Sequence, residues 1–326
     1  MKRNLLNFAV VSFIAITGSS FIACSSDDDD EVSANGNPNA GIVETETGAK
    51  YRVVQAGNNN YEYDSNGKLV SFADKYDDIF NVTYNPLKFV YNDNYSSSVI
   101  SNISLNGNGY ITGMKENYSH VYEKDSEKGE STMGISYDGK GHVTRINGST
   151  SAVEIYDGEK ESYKSYVDIV YTWNSDKLVK IVKTETEDGD KYVTTYEFVY
   201  GSNAVENVSC QYVPNILDDD NMFVNALACI GYLGKGPSVL PTGCNYSYVE
   251  DNHKKSGTGT YSYVLQSNGL VSKYIFKSNY GINETGYMKY ASIDSKSSKS
   301  AKHVGVAKNA ERKYRLFGKI HRKTRK

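Results

Sequence analysis

Tyr61-Glu62-Tyr63-Asp64-Ser65-Asn66-Gly67-Lys68-Leu69-Val70-Ser71-Phe72 is the stretch that decides the fold. An alternating strand ends at Tyr63, a polar turn follows, and a second alternating strand leaves from Leu69. Asp, Ser, Asn and Gly tolerate positive φ or bond their side chains back to the backbone, so the segment reads as a β-hairpin. Counted from Tyr63, glycine falls at +4 and apolar residues at +6 and +9. The spacing recurs from Leu105 (Gly109, Ile111, Met114), Tyr137 (Gly141, Val143, Ile146) and Leu265 (Gly269, Val271, Tyr274). Two shorter copies lack the glycine: Trp173 with Leu178 and Ile181, and Tyr200 with Val205 and Val208.

Alternating runs over 79–84, 167–172 and 192–200 fill the gaps, and long helical periods are nearly absent. The body therefore reads as all-β, an antiparallel meander of about 10–14 strands. The repeat anchors are 42, 32, 36, 27 and 65 residues apart, too irregular for a solenoid or propeller. One long sheet, curled or closed into a barrel to hide its edges, fits better. Lys, Glu and Ser occupy alternate positions, as in Lys160-Glu161-Ser162-Tyr163-Lys164, so an outward apolar band for lipid is not expected.

One segment breaks the pattern. Between Val213 and Cys244 lies the apolar run from Met222 to Leu233, preceded by Asp218, Asp219 and Asp220. The aspartates would cap a short helix near 221–231 whose Phe223, Leu227 and Ile230 share a face. Plugging or capping the sheet is the expected role, and a ligand-gating loop is the functional rival.

Tyrosine is unusually abundant, 29 residues beside one tryptophan. At strand spacing the first reading is sheet packing, with the ring on the pleat and the hydroxyl at a polar edge. Exposed aromatics are also what a carbohydrate-binding surface uses.

The N-terminus carries an address. Lys2 and Arg3 precede an apolar segment from Leu5 to Ile16, too short to span a bilayer comfortably, and Phe21-Ile22-Ala23-Cys24 follows. This is a secretory signal over 1–23, and its end resembles the lipobox of bacterial lipoproteins, which makes Cys24 the lipid-attachment residue. One acyl chain holds only marginally, at roughly 0.8 kcal/mol per buried methylene, so a lasting anchor needs more than one. The resemblance implies a diacylglyceryl group. Residues 24–48, opening with Asp27-Asp28-Asp29-Asp30-Glu31, read as an acidic flexible tether. The acidic run beside the cysteine resembles the surface-export signal of Bacteroidota lipoproteins, which implies an outer-membrane anchor with the protein facing outward. The β domain is expected over 49–292 and a disordered basic tail over 293–326.

Charge is divided unequally. Residues 296–326 hold twelve Lys/Arg and one acid, whereas residues 24–295 carry a net charge of −16. An acidic body does not look like a nucleic-acid-binding domain. Cys210, Cys229 and Cys244 lack zinc-site spacing and supporting histidines. Cys229 reads as a small buried hydrophobe, and if any pair bridges it is Cys210 with Cys244.

Together, Tyr61-Glu62-Tyr63-Asp64, Gly67-Lys68-Leu69 and Ser136-Tyr137-Asp138-Gly139-Lys140-Gly141 resemble the tyrosine–aspartate repeats of large bacterial surface proteins. With the lipoprotein start and Gly234-Lys235-Gly236-Pro237-Ser238-Val239-Leu240-Pro241, residues 50–292 resemble Bacteroidota lipoproteins carrying a porin-like domain of unknown function. The resemblance implies an antiparallel barrel-like sheet and brings no catalytic residues. The basic tail lies outside it.

Catalytic signatures are absent: no HExxH, Walker loop, GxSxG or GxGxxG in a βα setting occurs. The histidines sit in polar turns or the tail, and His142, at a repeat position held elsewhere by Lys68, Tyr110 and Leu270, reads as an exposed strand residue. No cofactor or metal is expected and no catalytic residue is nominated. A lipid-anchored binding or adhesion module, taking a glycan or another polymer, is the first reading of function. An accessory lipoprotein partnering another envelope protein is the second, and a glycoside hydrolase the third.

Overall fold

The computed structural model describes residues 36–73, 79–122, 125–214, 222–250 and 253–293. The signal segment, Cys24, the acidic run, Asp218–Asp220 and the basic tail from 294 onward lie outside the described residues. The strands follow the chain as β1 (Ile42–Glu44), β2 (Lys50–Ala56), β3 (Asn59–Tyr63), β4 (Leu69–Ala73), β5 (Ile79–Thr83) and β6 (Lys88–Asn92). Longer strands come next: β7 (Ser96–Leu105), β8 (Ile111–Tyr122), β9 (Asp125–Tyr137), β10 (Val143–Tyr156), β11 (Glu159–Asn174), β12 (Lys177–Glu187) and β13 (Asp190–Val199). A small pair, β14 (Val205–Glu206) and β15 (Val239–Leu240), flanks the helix α1 (Met222–Cys229). The chain ends in β16 (Gly243–Glu250), β17 (His253–Leu265), β18 (Val271–Ser278) and β19 (Asn283–Ser292).

Each strand from β2 to β13, and then from β16 to β19, pairs antiparallel with the next, and β19 returns to pair with β2. The all-β expectation holds as a closed barrel of sixteen strands among the described residues, more than the ten to fourteen read from the sequence, because a short strand such as β6 escapes a periodicity count. β1 lies outside the ring, paired to β2 through Ile42↔Arg52, Val43↔Tyr51 and Glu44↔Lys50.

The repeat is one turn built again and again. At Asp64 the carboxylate Oδ1 accepts from the amides of Asn66 (2.9 Å) and Lys68 (2.8 Å), while Gly67 sits at φ +80° and donates to the Asp64 carbonyl. Asn106 with Gly109 and Asp138 with Gly141 repeat the same bonds. All these turns fall at one end of the barrel. Burial raises the Asp138 carboxyl, but its hydrogen bonds from the His142 and Lys140 amides and the His142 ring outweigh that and hold it below the usual carboxylate range.

Each hairpin grips its neighbour through the anchor aromatic. The hydroxyl of Tyr137 donates to the Ile111 carbonyl (2.6 Å), Trp173 Nε1 to Val143 (2.7 Å), Tyr200 to Leu178 (2.7 Å) and Tyr290 to Val271 (2.9 Å). In every case the acceptor is the first apolar residue of the adjacent returning strand. Tyr63, Tyr84 and Tyr263 donate similarly to Val53, Leu69 and Pro241. Burial drives the phenols of Tyr63, Tyr137, Tyr200 and Tyr290 well up, so they stay protonated donors. The residue after the turn then covers the next anchor ring. Lys68 lies 3.6 Å over Tyr84, Tyr110 meets Tyr137 at 5.5 Å, His142 stacks on Trp173 at 4.2 Å, and Lys177 sits over Tyr200.

That belt corrects the reading of His142, which is 2% exposed. Its Nδ1 lies 3.0 Å from Asp138 Oδ2, its Nε2 lies 3.6 Å from Asp176 of the neighbouring turn, and the indole covers its face. A single hairpin cannot reveal that neighbouring turns lie close enough to bury this position. His120 is buried too, within β8, with Nδ1 2.6 Å from Ser96 Oγ. The Tyr200 copy also departs from expectation: it closes no hairpin, and the chain leaves the sheet there for β14 and the helix.

The helix explains how so wide a barrel is filled. Eight strands leave an interior that side chains alone can fill, whereas sixteen leave a channel. Here α1 occupies one end, buried on all sides rather than along one face, as a helix inside a core must be. Phe223 meets Phe72, Phe80 and Phe89 at 5.3–5.8 Å between ring centres. Tyr61 Oη donates to the Ala226 carbonyl, and Ile111 N to that of Tyr232. The plug reading stands. The tether reading, drawn to residue 48, gives way by residue 36. Asn37, Ala40 and Val43 are buried, and the Gly41 amide donates to Ile230, because this segment closes the plugged end.

The cysteine pair is likewise corrected. No disulfide joins Cys210 and Cys244: Cys244 points into the barrel from β16, whereas Cys210 sits in the plug loop. Cys229 is fully buried and its thiol is pushed up by that burial, as a small hydrophobe requires.

Outward positions are wet. Arg145–Asp168 (2.6 Å), Lys115–Glu130 (2.7 Å) and Lys180–Glu197 (3.0 Å) form ion pairs across neighbouring strands on the outer face of β8–β13. Ser162, Lys164, Tyr166, Asp168, Val170 and Thr172 alternate outward along β11. On β8–β13 the ion pairs stand where a bilayer-embedded barrel would carry apolar side chains.

Candidate functional site

At the end of the barrel away from the plug, the inner face changes character. On β8–β12 the inward residues become polar: Glu116, Glu127, Glu154, Glu185 and Glu187 are buried beside Lys183, Ser131, Thr150 and Ser165. Sequence reasoning places most acids in turns or on solvent faces. Strand parity would show that Glu127, Ser131 and Met133 share a face, but not that the face is the interior.

The centre of this wall is a tyrosine–glutamate knot. The Tyr118 and Tyr163 hydroxyls reach the same Glu127 oxygen, at 2.9 and 2.5 Å, and lie 3.3 Å from each other. Register explains the convergence. Tyr118 faces Gly129, Gly129 faces Ala152 and Ala152 faces Tyr163, so two small residues leave room for two rings to meet. A Cβ at Gly129 would lie 2.5 Å from the Tyr118 hydroxyl. Ser98 Oγ donates to Glu116 Oε1 at 2.7 Å, and Ser131 and Thr150 share a hydrogen at 2.8 Å. Glu127 and Glu154 oppose each other in register, the carboxylate pairing a hydrolase would need. Glu127 is 2% exposed and held by two phenols.

The adjoining wall, on β13, β16, β17 and β18, is aromatic. Tyr196, Tyr246, Tyr248, Tyr261 and Phe276 share the inward parity of Tyr263, Tyr274 and Phe198, which touch the core. Tyr196 and Tyr246 face each other across β13 and β16 at 6.3 Å, and Tyr261 meets Phe276 at 4.8 Å. Glycines again make room. Tyr246 lies over Gly257, and Phe276 lies over Gly259. These rings are half-buried. The site is a polar, acidic stretch of inner wall continuous with an aromatic one.

Cys24, the one site residue nominated from sequence, lies outside the described residues. The structural elements at the open end were not nominated, since rings contributed by strands up to 80 residues apart leave no local signature.

Among solved structures the chain resembles a porin-like protein from Bacteroides uniformis ATCC 8492, at TM-score 0.45 and 18% identity, covering 80% of this chain and 99% of that one. It also resembles a porin-like protein from Bacteroides vulgatus ATCC 8482, at TM-score 0.48 and 13% identity, covering 78% and 98%. No protein-family model and no curated protein matches it. The likeness is one of shape, and no activity follows from it.

Proposed function

We propose that this chain is a lipid-anchored surface lipoprotein that binds a glycan chain at the open end of its barrel. The observation that carries the reading is the aromatic inner wall: Tyr196, Tyr246, Tyr248 and Tyr261 lie half-buried on one inward face, away from the plug. Aromatic rings present flat apolar faces to the C–H face of a sugar, while nearby hydroxyls and carboxylates take its polar edge. The opposite end is filled by α1.

Full-length mature protein, wild type and Tyr196→Ala/Tyr246→Ala, would be compared on a glycan microarray. Binding by wild type that the double variant loses, with circular dichroism unchanged, is the expected result. Equal signals from both proteins would remove the lumen from consideration.

The anchor belongs to the same reading. The lipobox-like Phe21-Ile22-Ala23-Cys24 motivates it, and the polar outer wall supports attachment beside a bilayer rather than insertion in it. Cells fed labelled palmitate should label the wild type and leave Cys24→Ala unlabelled and released from membranes. Label or membrane association retained by the variant would rule the anchor out.

A further inference from the structure

The outer wall carries a second feature, independent of the lumen. A groove of about 360 Å³ lies over β10, β11 and β12. Its outward side chains form a grid fixed by strand register. Asn147, Asp168 and Thr184 make one row, and Ser149, Tyr166 and Thr186 the next.

The ring of Tyr166 is 55% exposed, whereas Tyr163, on the opposite face of the same strand, is sealed within the knot. Its neighbours in the grid are small, which leaves the ring standing clear of the wall. On the β9 side Gly134 keeps the site open, because a Cβ there would lie 2.9 Å from Asn147 Oδ1. The groove lining contains no lysine or arginine, and its one carboxylate, Asp168, is matched by Arg145 from just beyond the rim at 2.6 Å.

We propose that this groove is a binding subsite for a neutral polysaccharide, with a pyranose ring stacked on Tyr166. The chemistry fits that ligand and disfavours others. A flat exposed ring suits the apolar face of a pyranose, and its rim of hydroxyls meets an amide, a carboxylate and threonine hydroxyls that donate and accept. Phosphate, sulfate or uronate groups would face the Asp168 carboxylate, and no lysine or arginine lines the groove itself. The volume falls at the lower end of the range for small-molecule sites. The subsite shares its ligand class with the lumen reading but none of its residues.

The test is affinity electrophoresis of full-length mature protein through gels containing one soluble polysaccharide each. Dextran, starch, mannan, xyloglucan and arabinoxylan are the neutral probes, with polygalacturonate and chondroitin sulfate as acidic ones. Wild type should be retarded by at least one neutral polymer. Tyr166→Ala should weaken that retardation on the order of tenfold, and Tyr166→Phe should largely keep it. The exposed position leaves folding intact, which an unchanged melting temperature confirms. Absence of retardation by every neutral polymer, retardation by acidic polymers alone, or a Tyr166→Ala variant that migrates as wild type would each overturn the subsite. Loss in Tyr246→Ala but not in Tyr166→Ala would leave the lumen reading standing without this one, and the reverse pattern would do the opposite.

Discussion

Phe223→Ala is expected to lower the stability of the whole barrel by about 3–5 kcal/mol, the range for removing a buried phenylalanine. The side chain stands at the centre of the plug, with the rings of Phe72, Phe80 and Phe89 within 6 Å of its own. Those partners come from β4, β5 and β6, which are only five residues each and cannot close around a gap by shifting alone. The cavity therefore stays, and its loss of contact adds to the lost transfer energy. Urea unfolding followed by tyrosine fluorescence and by far-ultraviolet circular dichroism would measure it. Both probes should move together to a lower midpoint. A change below about 1 kcal/mol, within the range of ordinary substitutions, would mean the helix is an accessory to the barrel and not its core.

Gly286→Val is expected to destabilise although valine is the better strand residue. Residue 286 lies on β19 opposite Tyr274 of β18, and a Cβ there would overlap the Tyr274 ring. Tyr274 is 2% exposed and in the main core, so its ring has nowhere to go. Overpacking of this kind costs about 1–3 kcal/mol, against a propensity gain of no more than about 1 kcal/mol. The double variant Gly286→Val/Tyr274→Ala should then be less unstable than the sum of its parts, since removing the ring removes the clash. Thermal melts of the four proteins give the coupling directly. A stabilised Gly286→Val would show that the ring can leave, and that the glycine is there for another reason.

The same device recurs wherever the inner wall is crowded. Tyr118 lies over Gly129, Tyr246 over Gly257, Phe276 over Gly259 and Tyr274 over Gly286. An aromatic laid across a glycine on the next strand covers backbone that would otherwise be bare and uses the space the missing side chain leaves. This accounts for Tyr118, Tyr246 and Tyr274 without assigning their packing to a ligand. Other tyrosines form the belt at the turn end, and Tyr166 stands exposed on the outer face.

What the sequence determined by itself is what lies within a few residues of itself. The Asp64-to-Lys68 turn, its copies at Asn106 and Asp138, and the alternation of the flanking strands are all local, because a turn is specified by residues that touch across four positions of the chain. The short helix was also legible, from its apolar run, and so was the burial of Cys229. The number of strands and the closure of β19 onto β2 were not, since register between strands more than two hundred residues apart is set by packing around the plug. For the same reason the sequence left His142 exposed and the tyrosines undivided. One lies under an indole from the next hairpin, and the others are sorted into knot, belt and open wall by neighbours on other strands. Alternation fixes which side chains share a face. Only barrel closure decides which face is inside, and only the position of α1 decides which end of that inside the helix fills.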